Sequence, residues 1–391
     1  MSVSRRHFLA GSLALPAFAA NKDKKKKKNA APERPNIVLL VADNVPSWVL
    51  GIYGNKDIRT PNIDRLAQTG LRFHNHITAS PSPEPGRQTL LTGRTAMQLA
   101  APANTLEQLL GSAGYACRTA DAAGAAKLLE PSSGKPFFVV VNLRGPRPPY
   151  DGVPQKYADL YATARFETYS HDPAAANAAS GKEMLANVTE GLRKYSAALS
   201  AMDADVQTVV GQIYQRKLVD NTLIIFTSTC GALLGRHGLW DAGEGSQPTN
   251  MYEESVRTPM IWSWPGHVPA LGERPDVVGS CDLLPSLCEL TDAALPTGLS
   301  GTSYLLFATG KPLPKKMRWK TTVFSALGNT AMARADRYKL VQRDAGKGPG
   351  ELYDLVADPG ETTNQYDNEQ FLTLKTELGS ELAAWRQKYS G

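Results

Sequence analysis

Residues 35–43 have the sequence PNIVLLVAD, a continuous apolar run that ends at the carboxylate of Asp43. Runs of this kind, apolar on both faces, are typical of the buried strands of a parallel sheet. In open α/β sheets, binding sites form at the carboxyl ends of the strands, which is where Asp43 falls. The stretch therefore predicts an α/β fold with a polar site that begins at Asp43.

Later segments extend the same pattern. Residues 135–143 (KPFFVVVNL) and 221–228 (NTLIIFTS) predict two more buried strands, and a long amphipathic helix is expected between them over about 183–218. From about residue 316 the chain changes to short β-prone segments separated by Gly, Asp and Asn turns. A closing helix is expected over about 368–389. We therefore expect a large α/β domain followed by a small antiparallel sheet with one helix.

The N-terminus has the features of a targeting segment. Arg5 and Arg6 precede a modestly apolar stretch and a small-x-small cleavage sequence at residues 17–19, which indicates a twin-arginine signal peptide over 1–19. A tethered helix is the alternative. Residues 20–33 are rich in lysine and predict a solvated linker. No apolar run reaches the about 20 residues of a membrane span. The signal peptide predicts export by the twin-arginine pathway, to the periplasm or outside the cell.

The charge of the chain is unevenly placed. Residues 1–33 hold the whole formal net charge of +6, so residues 34–391 balance to about zero. A balanced body offers no electrostatic support for binding nucleic acid. The four cysteines contain no C-x-x-C pair and do not suggest a disulfide scaffold.

A second informative stretch is ASPSPEPGRQTLLTGR, residues 79–94. Its prolines and Gly86 predict a strained loop that leads into a short helix, with Pro85 near the first turn. Junctions of this kind often present a nucleophile or hold an anion. The stretch thus raises the question of which residue could attack a substrate.

Taken together, these residues resemble the sulfatase family of the alkaline phosphatase superfamily. The segments that support the resemblance follow family order from residue 34 to the C-terminus: RPNIVLLVADN, YGNKDIRTPNIDRLAQTGLRFHNHI, GRQTLLTGR, TLEQLLGSAGY, KPFFVVV, DNTLIIFTS, GRHGLWD, MYEESVRTPMI, DLLPSLCEL, DRYKLV and ELYDLVADPGETTN. The resemblance implies a large domain over 34–315, with a mixed, mostly parallel sheet between helices. It also implies a C-terminal antiparallel sheet and helix over 316–391.

The resemblance further implies hydrolysis of sulfate esters. In that family a Cys or Ser becomes formylglycine, whose hydrate attacks sulfur, and a calcium ion stabilises the developing charge. Here the nucleophile motif is matched by Pro85, Arg87 and the sequence TGR at 92–94, but the nucleophile position is Pro83. Proline has no heteroatom in its side chain, so no formylglycine can form at Pro83.

The metal positions of the family fall on Asp43, Asn44, Thr229 and Cys230. Asp43 alone supplies formal negative charge, and a thiol is a soft ligand poorly suited to calcium. We therefore expect calcium binding to be weak or absent. Zinc bound through Asp43, Cys230 and a histidine is the alternative.

The remaining catalytic positions are also altered. Ala122 and Gly124 stand where the family has Lys and His, Arg147 stands for a His, and Ala242 stands for a Lys. His237 matches a family pattern, for which a structural role is favoured over a catalytic one.

We expect Arg87 and Arg147 to face one pocket, which would then be positive and able to hold a sulfate, phosphate or carboxylate. The alternative is that both arginines make structural ion pairs.

We thus expect an exported protein of sulfatase fold that has lost its hydrolytic chemistry and binds a sulfated saccharide or another small anion. One alternative is an active hydrolase of sulfate or phosphate esters with a displaced nucleophile, for which Ser80, Ser82 and Cys230 are the candidates. The other is a structural or interaction protein whose pocket is closed.

Overall fold

The computed structural model describes residues 34–130, 134–143 and 145–390. The predicted signal peptide (1–19) and lysine-rich linker (20–33) lie outside the described residues. Within the described ranges, no helix combines the length and the apolar character needed to cross a membrane.

The larger sheet has seven strands in the order β3-β4-β1-β5-β6-β2-β7. Neighbouring strands are parallel except at β6, which runs antiparallel to both β5 and β2. The predicted mixed, mostly parallel sheet is therefore confirmed. The strands are β1 (Asn36–Ala42), β2 (Leu71–Ile77), β3 (Ala116–Ala120), β4 (Phe137–Asn142), β5 (Thr222–Ser228), β6 (Met260–Ser263) and β7 (Gly272–Gly279).

Helices cover both faces of this sheet. The α-helices are α1 (Pro61–Gln68), α2 (Pro83–Thr92), α3 (Leu106–Ser112), α4 (Ala122–Leu128), α5 (Gln155–Ala158), α6 (Lys182–Ala186), α7 (Val188–Gln215), α8 (Glu253–Val256), α9 (Leu283–Thr291), α10 (Leu305–Ala308) and α11 (Leu372–Tyr389).

The two faces of β1 belong to two separate cores. Val38 and Leu40 pack in one cluster with α1, α4 and α7, whereas Ile37 and Leu39 pack in another with α2, α3, α9 and α10. Successive strand residues point to opposite faces, so a strand covered on both sides must be apolar at every position. This explains why the first strand is a continuous apolar run.

One predicted helix is corrected and another is confirmed. The helix expected over about 183–218 is divided at Asn187, whose side chain accepts a hydrogen bond from the Glu190 N–H at 3.1 Å and so caps α7. The short helix predicted after the loop begins at Pro83, so Pro85 lies in its first turn, as predicted. Proline is well suited to the first helical position because its missing N–H has no partner to lose there.

The C-terminal part forms the predicted small antiparallel sheet. Its strands are β8 (Thr322–Leu327), β9 (Thr330–Ala335), β10 (Tyr338–Arg343) and β11 (Glu351–Asp354), in the order β11-β10-β9-β8. Leu378, Leu382 and Trp385 of α11 pack against this sheet. The predicted domain boundary between residues 315 and 316 stays a prediction.

The order of the strands decides which loops meet. β1 lies between β4 and β5, with Val41 in register with Asn142 on one side and Thr227 on the other. The residues that follow β1 and β5, and the last residue of β4, therefore meet at one edge of the sheet. This edge contains the metal positions that the sequence predicted.

Candidate functional site

Asp43 is the centre of the site and is only 3% exposed. Its Oδ1 accepts hydrogen bonds from Arg87 Nη2 at 3.1 Å and from Thr229 Oγ1 at 2.5 Å. Its Oδ2 accepts a hydrogen bond from Arg147 Nη2 and forms an ion pair with it. The structure therefore brings Asp43, Thr229 and both predicted arginines together, and both carboxylate oxygens are engaged.

Arg87 comes from the first turns of α2 and joins two strands of the sheet. Besides Asp43, it contacts Asn142 at the end of β4, where its Nη1 donates to Oδ1 at 2.6 Å. Asn142 was not among the predicted site residues. The available signal was its place at the end of an apolar strand, the same position that Asp43 has after β1.

Asn44 and Cys230 form the other side of the site. Asn44 has a left-handed backbone (φ 58°), and its Oδ1 accepts a hydrogen bond from Cys230 Sγ at 3.2 Å. The backbone oxygen of Asn44 accepts one from the hydroxyl of Tyr195 at 2.9 Å. Burial raises the pKa of the Cys230 thiol to about 12, and the nearby Asp43 also raises it. Cys230 is therefore a neutral hydrogen-bond donor in this structure.

Pro83 is the first residue of α2, and Ser82 precedes it as the N-cap residue without a capping side-chain hydrogen bond. Pro83 and Pro85 have no N–H, and the N–H of Gly86 donates to the Ser82 carbonyl at 2.8 Å. The start of α2 therefore has few free N–H donors for an anion, contrary to the expectation for such a junction. An anion at this site would depend on the arginines.

Gly86 lets α2 lie close to the end of β5. A Cβ atom at this position would be 2.3 Å from the Thr229 carbonyl oxygen and 3.0 Å from that of Ser80. The absence of a side chain thus permits the approach that brings Arg87 to Asp43.

The chain matches known protein families over most of its length. A family model described as Sulfatase matches residues 35–123 and 119–293, well over half of the chain. The chain belongs to the sulfatase family. A second model, described as N-sulphoglucosamine sulphohydrolase, C-terminal, matches residues 235–388. The predicted membership of the alkaline phosphatase superfamily is thereby confirmed.

Characterised sulfatases align with most of the chain. An ulvan-active sulfatase from Formosa agariphila is 25% identical, with 92% of this chain and 83% of the relative covered. Human arylsulfatase A is 27% identical, with 86% and 84% covered. The similarity therefore extends over nearly the whole sulfatase fold.

Solved structures agree in fold. A structure in complex with its substrate D-glucosamine-2-N,6-O-disulfate superimposes with a TM-score of 0.77 at 18% identity, covering 91% of this chain and 98% of the other. The phosphonate monoester hydrolase of Agrobacterium radiobacter gives 0.75 at 19% identity, covering 91% and 96%. These likenesses establish the sulfatase architecture.

The calcium ion of the sulfatase family does not fit the residues present. Calcium needs six to eight hard oxygen ligands. Asp43 is the one carboxylate of the four metal positions, and two guanidinium groups and a hydroxyl already donate to it. The described residues contain no group of three or more His, Cys, Asp or Glu side chains that could hold a metal ion. For the zinc alternative, no histidine contact to Asp43 or Cys230 is found among the described residues, so the third ligand it requires is not present there.

The candidate replacement nucleophiles are buried. Ser80 and Cys230 are 0% exposed and Ser82 is 3% exposed. The Oγ atom of Ser80 has no hydrogen-bond partner within the described ranges, so no base contacts it. Cys230 is held as a thiol by its raised pKa. These surroundings disfavour the alternative of a displaced nucleophile.

His237 has a different set of neighbours. Its ring stacks on Tyr252 with centroids 3.7 Å apart, and its ring atom Nε2 lies 3.9 Å from Glu254. Its backbone N–H donates to the Asp172 carboxylate at 3.2 Å. Burial lowers the pKa of His237, which favours the neutral ring. None of its contacts among the described residues is to Asp43 or either arginine. The structural role of His237 stays a prediction.

The other altered family positions have no charged group to offer. Ala122 and Gly124 lie in the first turn of α4, where the Gly124 N–H donates to Asp121 at 2.8 Å. Ala242 is buried, and the N–H of the next residue donates to the Pro81 carbonyl at 2.9 Å. The segment around Ala242 thus lies against the loop before α2, but it has alanine where the family has lysine.

Proposed function

We propose that this sulfatase-family protein does not hydrolyse sulfate esters and instead binds an anionic ligand. The observation on which the first part rests is Pro83 at the start of α2, since a pyrrolidine ring offers no atom that could attack sulfur. The engaged carboxylate of Asp43 supports the same conclusion, because it leaves no ligand set for the metal that would stabilise the transition state.

The second part depends on charge and shape around Arg147. Around Asp43 the site has two guanidinium groups for one carboxylate. Of the two, Arg147 lines the adjoining cavity, where Lys156 adds a second cation and Asp151 and Asp205 add two carboxylates. The positive charge offered to an anion is therefore local to Arg147 and Lys156. The Arg147 side chain is 54% exposed and lines a cavity of about 700 Å³ together with Tyr150, Lys156 and Tyr157. A guanidinium has five N–H donors, so Arg147 can pair with Asp43 and still donate to a sulfate or phosphate group.

The same cavity favours a saccharide as the rest of the ligand. Its volume lies in the range of small-molecule sites. Tyr157 offers an aromatic surface, and the carboxylate of Asp151, also in the lining, can accept hydrogen bonds from hydroxyl groups. A sulfated saccharide presents both an anionic group and hydroxyl donors, and a related fold has been solved with a sulfated glucosamine. We therefore propose that the ligand is a sulfated saccharide and that this protein binds it after export.

The hydrolytic part is tested by turnover of an aryl sulfate, a phosphate monoester and a phosphodiester by the purified protein, with and without added calcium. We expect no turnover. Turnover of any of these esters that disappears in Asp43→Ala would overturn the proposal.

The binding part is tested by calorimetry with D-glucosamine-2-N,6-O-disulfate, with unsulfated glucosamine as the control ligand. We expect binding of the sulfated sugar that is lost in Arg147→Ala and kept in Arg165→Ala, since Arg165 is exposed and does not line the cavity. Equal heats for Arg147→Ala and the wild type would contradict the assignment of the ligand to this cavity.

A further inference from the structure

Arg147 lies beside the metal position of the site, on the loop that follows β4. Its guanidinium binds the Oδ2 atom of Asp43, the oxygen that Arg87 and Thr229 leave free. We propose that Arg147 is a built-in cation that takes the place of the divalent metal of the sulfatase family. The fold would then keep the charge of Asp43 neutralised without any metal.

The need for a cation follows from the burial of Asp43. Its side chain is 4% exposed, and an ionised carboxylate in such surroundings is costly unless it is paired and hydrogen-bonded. Arg87 alone supplies one charged donor to Oδ1. Arg147 supplies the second, so each carboxylate oxygen has a positively charged partner.

The oxygen atoms that could have joined a metal are used within the protein. Asn44 Oδ1 accepts the Cys230 thiol at 3.2 Å, and the Thr229 hydroxyl donates to Asp43 at 2.5 Å. A metal ion at this position would have to break these contacts. It would also lie next to two guanidinium groups, whose positive charges repel it.

Arg147 can replace a metal because a guanidinium is always protonated and presents several donors in a rigid plane. It is a positioning residue in this proposal, since it acts on the site through Asp43. The proposal is independent of ligand binding: the sulfated sugar could fail to bind while Arg147 still neutralises Asp43, and the reverse could also hold.

Thermal unfolding without any sugar ligand tests whether Arg147 neutralises Asp43 in place of a metal. We expect the wild-type protein to have the same Tm in EDTA and in calcium chloride, because only a ligand that binds the folded state raises Tm. In EDTA, Arg147→Met should lower Tm by about 5 °C, since it leaves Oδ2 of a buried carboxylate unpaired. Arg147→Lys should recover part of this loss, and the exposed control Arg165→Met should leave Tm unchanged.

A second background tests whether Arg147 acts through Asp43. In Asp43→Asn there is no charge to neutralise, so adding Arg147→Met should cost much less than it does in the wild type. An equal cost in both backgrounds would overturn the proposal. So would a rise of the wild-type Tm on addition of calcium, or a Tm of Arg147→Met equal to that of the wild type, and these two results do not require Asp43→Asn to fold.

Discussion

Arg87 of α2 donates to Asp43 across a distance of 3.1 Å, although 44 residues separate them along the chain. The same guanidinium donates to Asn142 at 2.6 Å, so one side chain ties a helix to the ends of two adjacent strands. These contacts give the arginine of the predicted nucleophile motif a role in stability.

Replacing Arg87 by alanine should lower the free energy of unfolding by about 2–4 kcal/mol, because a buried carboxylate loses one charged partner and Asn142 loses its donor. Urea denaturation measures this change. Gln88→Ala is the matched control, since Gln88 is the next residue of the same helix and is exposed, and its side chain hydrogen-bonds only to Glu84 among the described residues. Equal losses in the two variants would show that the Arg87 contacts contribute nothing.

Pro83→Ser restores a hydroxyl at the nucleophile position. We expect a folded protein that is less stable by about 0.5 kcal/mol, because proline at the first helical position restricts the unfolded chain. We also expect no turnover of aryl sulfate, since the new hydroxyl would still have no metal beside it. Appearance of turnover above that of the wild type would show that the remaining site is competent after all.

Gly86→Ala should destabilise the protein by about 1–3 kcal/mol, because the added methyl group would clash with backbone atoms, which cannot move away as a flexible side chain can. The obstructing atom is the Thr229 carbonyl oxygen, 2.3 Å from the position of the new Cβ. Gly111→Ala in α3 has the opposite expectation, a gain of about 0.5–1 kcal/mol, since the nearest atom is 3.8 Å away and alanine favours a helix. Denaturation curves that shift in the same direction for both variants would contradict the packing argument.

Cys230 should resist alkylation in the native state. Burial raises the pKa of its thiol to about 12, and the thiolate is the reactive form, so iodoacetamide at pH 8 should not modify it. Mass spectrometry of the labelled peptides gives the extent of modification at each cysteine. The same protein unfolded in guanidinium chloride is the control, in which Cys230 should react readily. Rapid native labelling would mean that the site opens far more than its burial indicates.

The lowered pKa of Glu253 predicts how the stability of the protein depends on pH. Burial tends to raise the pKa of this carboxyl, but Arg334, Lys339 and Arg257 outweigh burial and hold it below its usual value of 4.5. The neighbouring Glu361, which shares Lys339 with Glu253, has its pKa raised by burial. A carboxyl whose pKa is lowered by folding stabilises the protein above the unfolded value, and this stabilisation is lost as pH falls from about 4.5 through the lowered pKa of the folded state.

Glu253→Gln should therefore reduce Tm at pH 7 and make Tm less dependent on pH over that acidic range. The exposed Glu244→Gln is the control and should follow the wild-type profile. If the profile of Glu253→Gln fell as steeply as that of the wild type between these pH values, Glu253 would not be the group responsible.

Much of the fold could be predicted from local patterns. The apolar runs at β1, β4 and β5 indicated strands covered on both faces, and the turn-rich C-terminal part indicated a small antiparallel sheet; both were confirmed. The boundary at Asn187 was missed, because the apolar periodicity continues on both sides of it and only the capping contact to Glu190 marks the break. Asn142 was missed because its significance depends on β4 being the neighbour of β1.

The sequence by itself determined the family, since motif order is a property of the residues alone. It also predicts that Pro83, whose side chain has no heteroatom, occupies the nucleophile position. It also determined which charged groups remain. Only the tertiary structure decided that Arg87 and Arg147 both bind Asp43, with one on each carboxylate oxygen. The physical reason is that ion pairing depends on which loops the strand order brings together. Arg87 and Arg147 lie 44 and 104 positions from Asp43 along the chain, so no local sequence pattern predicts these contacts.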